Sequence, residues 1–349
     1  MKNIGVIFGG NSPEYKVSLE SVSSILKEID RNKYNPIMIG ITQEGTWYLY
    51  TGSISNIEKD TWHFTNDCSK AMLSPNANEF KLIVFGQNRM ETIHLDGIFP
   101  VMHGAYGEDG TIQGYIQLSN IPLIGCGVLA SSLCMDKYRS HLLVEEAGIK
   151  CAKGCVFTQR DKQKIKEFCN TIGYPCFIKP LRAGSSFGIT KVESPLNLDE
   201  AINLAFEYDH ELLIEEFIDG FEVGCAIMGT QHLVVGEVDE IELSDGFFNY
   251  EEKYTLKSSK IHVPARINEK KAEEVKELSK KIYKILGCSG FARVDCFINT
   301  KGEVIFNEVN TIPGFTSHSR FPTMLKHVGY SFKEIITTII EGALTNENN

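Results

Sequence analysis

The sequence predicts an α/β protein, with an N-terminal parallel-sheet domain followed by two further domains. Residues 4–8 read as a strand, and a Gly-rich turn, an amphipathic helix over about 17–29 and a strand over 36–41 follow, which is how a parallel sheet begins. A second pattern of short strands brackets a Gly/Ser loop at 182–190. A strand-turn-strand, FARVDCFINTKGEVIFNEVN, marks a third. At 349 residues the chain exceeds the length at which one core usually stops growing. Domains are therefore expected at 1–125, 126–218 and 219–349.

Within the first domain, the polar stretch 51–78 is expected as surface loops with a short insertion. A strand over 95–101, the loop HGAYGEDG, a short helix near 113–118 and the strand IPLIG come next. Cys126-Gly127 marks the first boundary. The helix MDKYRSHLLVEEAG leads into strands around 154–155 and 176–179, a helix over 198–208 and the strand LLIEEFI. The last portion carries strands, a charged helix over 269–286, the hairpin, a helix over 332–344 and a frayed tail.

Composition sets limits on function. With 42% hydrophobic and 23% charged residues the chain has ordinary globular composition. No apolar run approaches the roughly 18 residues needed to span a bilayer, and MKNIGVIFGG has too short an apolar stretch for a signal peptide. A cytoplasmic enzyme without membrane contact is expected. The 10 cysteines contain no Cys-x-x-Cys pair and read as buried free thiols rather than zinc ligands or disulfides. A net charge of -10 argues against general nucleic-acid binding. Nucleotides remain open, since their phosphates need only a few local cations.

The hairpin carries the clearest chemistry. With Lys301-Gly302 as a two-residue turn, Asp295 faces Glu308 and Arg293 faces Asn310. Val294, Cys296, Ile298, Ile305 and Val309 fall on the other, apolar face, with Asn307 as the exception. Acids are depleted in strands, and like charges directly opposite one another are destabilising. A hard divalent cation such as Mg²⁺, bound through oxygens, offsets that repulsion; a solvated hairpin face is the plainer alternative. The loop RAGSSFGIT can cradle phosphate through backbone N–H groups, with Lys179 just upstream. By itself a plain βα turn would account for it equally well.

The segments FGGNSPEYKVS, MHGAYGEDGTIQG, MDKYRSHLL, FIKPLRAGSSFGITKV, LIEEFIDGFEV, EEKYTLKSSK, GFARVD and NEVNTIPGFTSHSRFP resemble the ATP-grasp ligases. Within them the chain is similar to D-alanine-D-alanine ligases and their vancomycin-resistance relatives, over essentially its whole length. That resemblance implies ATP held between two antiparallel sheets of the central and C-terminal domains, phosphorylation of D-alanine on its carboxylate, and attack by a second substrate's amine. It also implies two Mg²⁺ ions, with Mn²⁺ as a substitute, and a homodimer. By the same resemblance Lys137, Lys179, Ser185 and Ser186 belong to the phosphate site, and Glu215, Glu216, Ile218 and Glu222 to the adenine and ribose segment. Asp295, Glu308 and Asn310 match the metal ligands. Glu14 matches the anchor for the first substrate's ammonium, linked to Ser185 and Tyr254 in a loop that closes over the site. His103 lies near that substrate's carboxylate, or else is a loop histidine bracing the GEDG turn. Arg293 and the Gly314 N–H match an oxyanion hole, and Lys253 and Ser319 the second substrate's carboxylate site. Two positions depart from the family: Glu216 stands where lysine is common, and Lys16 where glutamate is.

Three positions bear on the second substrate. Tyr254 occupies a place where D-lactate-using resistance ligases carry histidine, which points to an amino-acid acceptor. Arg320 replaces an aliphatic residue, and Phe248 a tyrosine. An arginine beside the acceptor pocket suits a serine hydroxyl, directly or through Asp239 or Glu240. The chain thus looks like a D-alanine-D-serine ligase of the G-type resistance group, making modified peptidoglycan precursors. The alternatives are an ordinary D-alanine-D-alanine ligase, in which Arg320 forms a surface ion pair, another ATP-grasp carboxylate-amine ligase, and a non-catalytic two-lobed binder of small amino acids.

Overall fold

The structure, a computed structural model, describes residues 1–86, 89–243 and 259–345. It opens with β1 (Lys2–Gly9), the helix Tyr15–Glu28 and β2 (Tyr34–Ile41), parallel to β1. The chain then runs antiparallel through β3 (Trp47–Tyr50), β4 (Cys68–Leu73), β5 (Lys81–Phe85) and β6 (Met90–His94). β7 (Gly97–Val101) returns parallel on the other side of β1. The seven-stranded sheet is therefore mixed, parallel only across β2-β1-β7. Ile4, Val6, Ile7 and Phe8 are all fully buried, as a strand covered on both faces requires.

Residues 51–78 are more ordered than their polarity predicts. They contribute the helix Ile54–Glu58 and strand β4, and Trp62 is fully buried edge-on to Phe8 and Tyr50. Polar residues occupy the outward side of this segment, while Ile57, Trp62, Ala71 and Leu73 supply its core. IPLIG forms only a single bridge, Ile98 to Leu123.

The central sheet comprises β8 (Gly154–Thr158), β9 (Cys176–Pro180), β10 (Thr190–Val192) and β11 (Glu211–Glu216), ordered β10-β9-β11-β8 with every pairing antiparallel. The helices Lys162–Ile172 and Leu198–Tyr208 cover one face through Ile165, Cys169, Ala201 and Ile202. The C-terminal sheet is β12 (Gly220–Met228), β13 (Val234–Val235), β14 (Asp239–Leu243), β15 (Ser259–His262), β16 (Phe291–Asn299) and β17 (Val304–Asn310). It too is antiparallel, with β12 and β17 flanking β16.

Packing follows apolar faces rather than chain order. The helices Val128–Met135 and Lys137–Glu146 precede the central strands, yet Ala130, Cys134 and Val144 share a core with Val223 and Val294 of the C-terminal sheet. The last helix, Phe332–Leu344, sends Ile335, Ile336 and Ile339 into the core of the first sheet with Leu19 and Val22. All ten cysteines are free thiols, seven of them buried.

The hairpin meets its predicted register by a different route. Asn299 and Glu303 flank a three-residue loop with Gly302 at φ 75°, and the Asn299 side chain accepts from the N–H groups of Lys301 and Glu303. Cys296 therefore pairs with Phe306, not with Asn307. A β-bulge at Asn307 takes up the extra residue, and beyond it Asp295 pairs with Glu308 and Arg293 with Asn310. Val304 and Phe306 join the buried apolar face, while Ile305 lies opposite Phe297 rather than on that face.

Candidate active site

A cavity of about 480 Å³ lies between the central and C-terminal sheets. Its lining includes Phe177 and Lys179 of β9, Glu215 and Glu216 of β11, Ile218, Glu222 of β12, Glu240 to Leu243 of β14, and Asn307 to Asn310 of β17. Lys137, Ser185 and Ser186 close one side. The predicted phosphate and adenine residues thus line one space with Glu308 and Asn310, while Asp295 is not part of its lining.

Lys179 Nζ lies 2.5 Å from Glu215 Oε2 on the neighbouring strand. Burial pushes the Glu215 carboxyl up, but Lys179 and then His141 outweigh it and hold the group below the usual carboxylate range. Glu215 Oε1 is buried and accepts no hydrogen bond among the described residues. A buried orphan acceptor is costly, and an adenine amino group would satisfy it. Lys137 Nζ donates to the Ala183 carbonyl at 2.7 Å and lies 3.9 Å from Glu308. Glu216 instead accepts from the Lys153 N–H at 2.9 Å, which gives its carboxylate a structural use in this chain.

Ser185 and Ser186 adopt φ of 48° and 60°, a region that non-glycine residues occupy sparingly. Such backbone turns successive N–H groups toward one concavity. The Ser185 hydroxyl donates to Glu14. Glu14 is buried, and its carboxylate is wedged between two glycines: a Cβ on Gly104 would lie 1.9 Å from Oε2 and one on Gly184 2.5 Å from it. Lys16, two residues on, is exposed.

Beside the hairpin lies a buried lattice of acids and guanidiniums. Arg293 donates to both oxygens of Asp295 at 2.7–3.0 Å, and Asn310 Nδ2 donates to the same carboxylate at 2.9 Å. Arg320 donates to both oxygens of Asp239 and, through Nη1, to Glu222 at 2.8 Å; its Nη2 lies 3.3 Å from Asp295. Burial lowers the pKa of both guanidiniums, but the facing carboxylates outweigh it and raise them above the ordinary value. Arg320 is therefore no surface ion pair. Glu240, the other expected partner, is taken by Arg266.

Three carboxylates face two guanidiniums here, and Glu308 adds a further negative charge, so the cluster favours a cation. Asp295, Glu308 and Asn310 offer only oxygen to a metal, the donor type of a hard divalent ion completed by phosphate oxygens. Among the described residues no three His, Cys, Asp or Glu side chains converge as a metal site, and the hairpin offers two carboxylates and an amide.

His103 has both ring nitrogens engaged: Nδ1 donates to the Ile312 carbonyl at 2.8 Å, and Nε2 accepts from Ser21 at 3.0 Å. Burial drives its pKa down to about 4, so the ring is neutral. It braces the first sheet's helix against the loop after β17. Ser319 Oγ accepts from the Thr316 N–H and packs 3.1 Å from where a Gly314 Cβ would stand. Lys253, Tyr254 and Phe248 lie outside the described residues.

Two residues escaped the sequence reading. Glu108 accepts from the N–H groups of Gly104 and Ile312, so it joins the loop after β7 to the loop after β17. Burial, then the charge of Glu14, push its pKa well above the carboxylate range. The acid in GEDG signalled it. His141 donates to the Asn307 carbonyl and lies against Glu215; in sequence it was one polar residue in a helix.

Comparisons with known proteins agree with this geometry. Residues 3–126 match the family profile D-ala D-ala ligase N-terminus, and residues 143–341 match D-ala D-ala ligase C-terminus. The chain is 42% identical over 351 residues to the vancomycin C-type resistance protein VanC1 of Enterococcus gallinarum, covering 100% of this chain and 99% of that protein. It is 40% identical to a D-alanine–D-alanine ligase of Caldicellulosiruptor bescii, over 98% of this chain and 94% of that one. The solved VanG D-Ala:D-Ser ligase from Enterococcus faecalis superposes with a TM-score of 0.91 at 51% identity, over 98% and 99% of the two chains. With a nucleotide-sized cleft between two antiparallel sheets and both family halves matched, the chain belongs to the D-alanine–D-alanine ligase family of ATP-dependent ligases.

Proposed function

We propose that this ligase joins D-alanine to D-serine through D-alanyl phosphate, as a cytoplasmic homodimer supplying modified peptidoglycan precursors. The observation that carries the choice of D-serine is Arg320, a buried guanidinium held by Asp239 and Glu222 beside the β16–β17 hairpin. Arg320 is the first residue of the helix Arg320–Lys326, where the helix dipole disfavours a cation. Its position is costly for stability alone and suits recognition of a hydroxyl. The 51% identity to a chain named as a D-Ala:D-Ser ligase supports the same reading. No helix among the described residues is long and apolar enough to cross a membrane.

Glu14 would hold the ammonium of the first D-alanine while its carboxylate oxygen attacks the γ-phosphorus of ATP, releasing ADP. Mg²⁺, expected as two ions and replaceable by Mn²⁺, would be held by Asp295, Glu308 and Asn310 and neutralise phosphate charge. The D-serine amine then attacks the acyl carbon, phosphate leaves, and the nitrogen loses a proton. Arg293 engages Asp295 through Nε and Nη2, and its Nη1 edge would, with the Gly314 N–H, receive the developing oxyanion. The test is phosphate release with ATP, Mg²⁺ and D-alanine while D-serine, D-alanine and D-lactate compete as acceptors, with products identified by mass. Preference for D-alanine over D-serine would return the chain to ordinary D-alanine-D-alanine ligation.

A further inference from the structure

His141 is a buried residue of the helix Lys137–Glu146 with no part in the scheme above. Its Nε2 lies 2.7 Å from the carbonyl oxygen of Asn307, the bulged residue of β17. Nδ1 lies 3.3 Å from Glu215 Oε1, and the ring stands edge-on to Phe306 at 5.3 Å. Both nitrogens thus face oxygens that carry only lone pairs. A neutral imidazole has one N–H, so either tautomer would set a lone pair against the carbonyl or the carboxylate. The Nε2–H tautomer serves the Asn307 carbonyl, and Nδ1 then lies against Glu215 without a hydrogen bond to it.

We propose that His141 is a positioning residue for nucleotide recognition, a buried ring that ties the Glu215 carboxylate of the central sheet to the bulge preceding Glu308. The proposal rests on the reading of Glu215 as the acceptor for the adenine 6-amino group. Lys179 holds one oxygen of Glu215. His141 lies against the other, Oε1, without a hydrogen bond to it. The contact therefore confines that oxygen and leaves its lone pairs for an incoming N–H. The same ring holds the Asn307 carbonyl, so the purine end of the cleft and the strand bearing Glu308 are set by one side chain.

The test compares ATP with inosine triphosphate, which carries a 6-oxo group in place of the amino group, in the full-length enzyme and in H141Q and H141F. Gln keeps a donor for Asn307 without the ring against Glu215, and Phe keeps only the ring packing. Both variants should raise KM for ATP about tenfold with kcat within about twofold, and lower the ATP-to-inosine-triphosphate preference by a similar factor, the size of one hydrogen-bonded contact. A structural defect would lower turnover with both nucleotides alike. Melting curves establish that each variant is folded, and H141Q carries the test should H141F not fold. Wild-type discrimination left intact in H141Q would overturn the role of His141. A wild-type enzyme using both nucleotides equally would instead remove the reading of Glu215, and the proposal with it.

Discussion

Arg320 and Asp239 form a two-point pair inside the protein, Nε to Oδ2 at 2.7 Å and Nη2 to Oδ1 at 2.9 Å, with Asp239 fully buried. Removing one member of a buried pair leaves an uncompensated charge, at a cost of about 3–5 kcal/mol. Arg320→Leu should therefore lower stability, with part of it restored by adding Asp239→Asn. Selectivity is a separate quantity. Loss of one charged hydrogen bond, about 1.5–3 kcal/mol, should lower the D-serine to D-alanine ratio of kcat/KM roughly ten- to a hundredfold. The ratio is the measurement, because misfolding lowers both rates together; an unmoved ratio would make Arg320 purely structural.

Gly224 makes that pair possible. A Cβ there would stand 2.4 Å from Arg320 Nη2 and 2.8 Å from carboxylate oxygens of both Asp239 and Asp295. Gly224→Ala should push the guanidinium out of its seat at an overpacking cost of about 1–3 kcal/mol. Acceptor selectivity should fall in the same direction as in Arg320→Leu, read by the same competition assay. Full retention of D-serine preference would mean that the position of the guanidinium does not set the acceptor.

His103 gives the protein a pH dependence. Its folded-state pKa, depressed to about 4 chiefly by burial, lies below the unfolded value near 6.5. The folded state then binds fewer protons between these values, so the associated stability is complete above about pH 6.5 and is lost as pH falls through about 4. The total is on the order of 3 kcal/mol at 1.36 kcal/mol per unit. Urea unfolding at several pH values should show a slope in this window that His103→Gln flattens. Equal slopes in both proteins would refute the assignment.

What the sequence made legible follows from which interactions are local. Alternation along β16 and β17 was readable because a strand's period is fixed at two, and it put Asp295 and Glu308 on one face. The three-residue loop and the bulge at Asn307 were not readable, since two offsets of one residue cancel at the site. The buried seat of Arg320 was also hidden. It depends on Asp239 and Glu222, 81 and 98 residues away, and on the missing side chain of Gly224. The order of the 51–78 stretch rests on a few buried residues, among them the Trp62 indole, whose partners lie on β1 and β3. Family resemblance named residues around the cleft, but His103 shows why contacts are also needed: both its nitrogens are engaged within the fold.

The bulge itself is testable. Cys296 pairs with Phe306 before Asn307, and Asp295 with Glu308 after it, so deleting Asn307 leaves both pairs in register and on their present faces. What the deletion removes is the carbonyl that receives the His141 N–H. If the bulge serves that contact, ΔAsn307 should raise KM for ATP about tenfold, as one buried hydrogen bond implies. Combined with H141F it should add little, because the two changes break the same link. Additive losses in the double variant would show that bulge and imidazole act separately. A deletion that also abolished Mg²⁺ dependence would instead assign the bulge to placing Glu308.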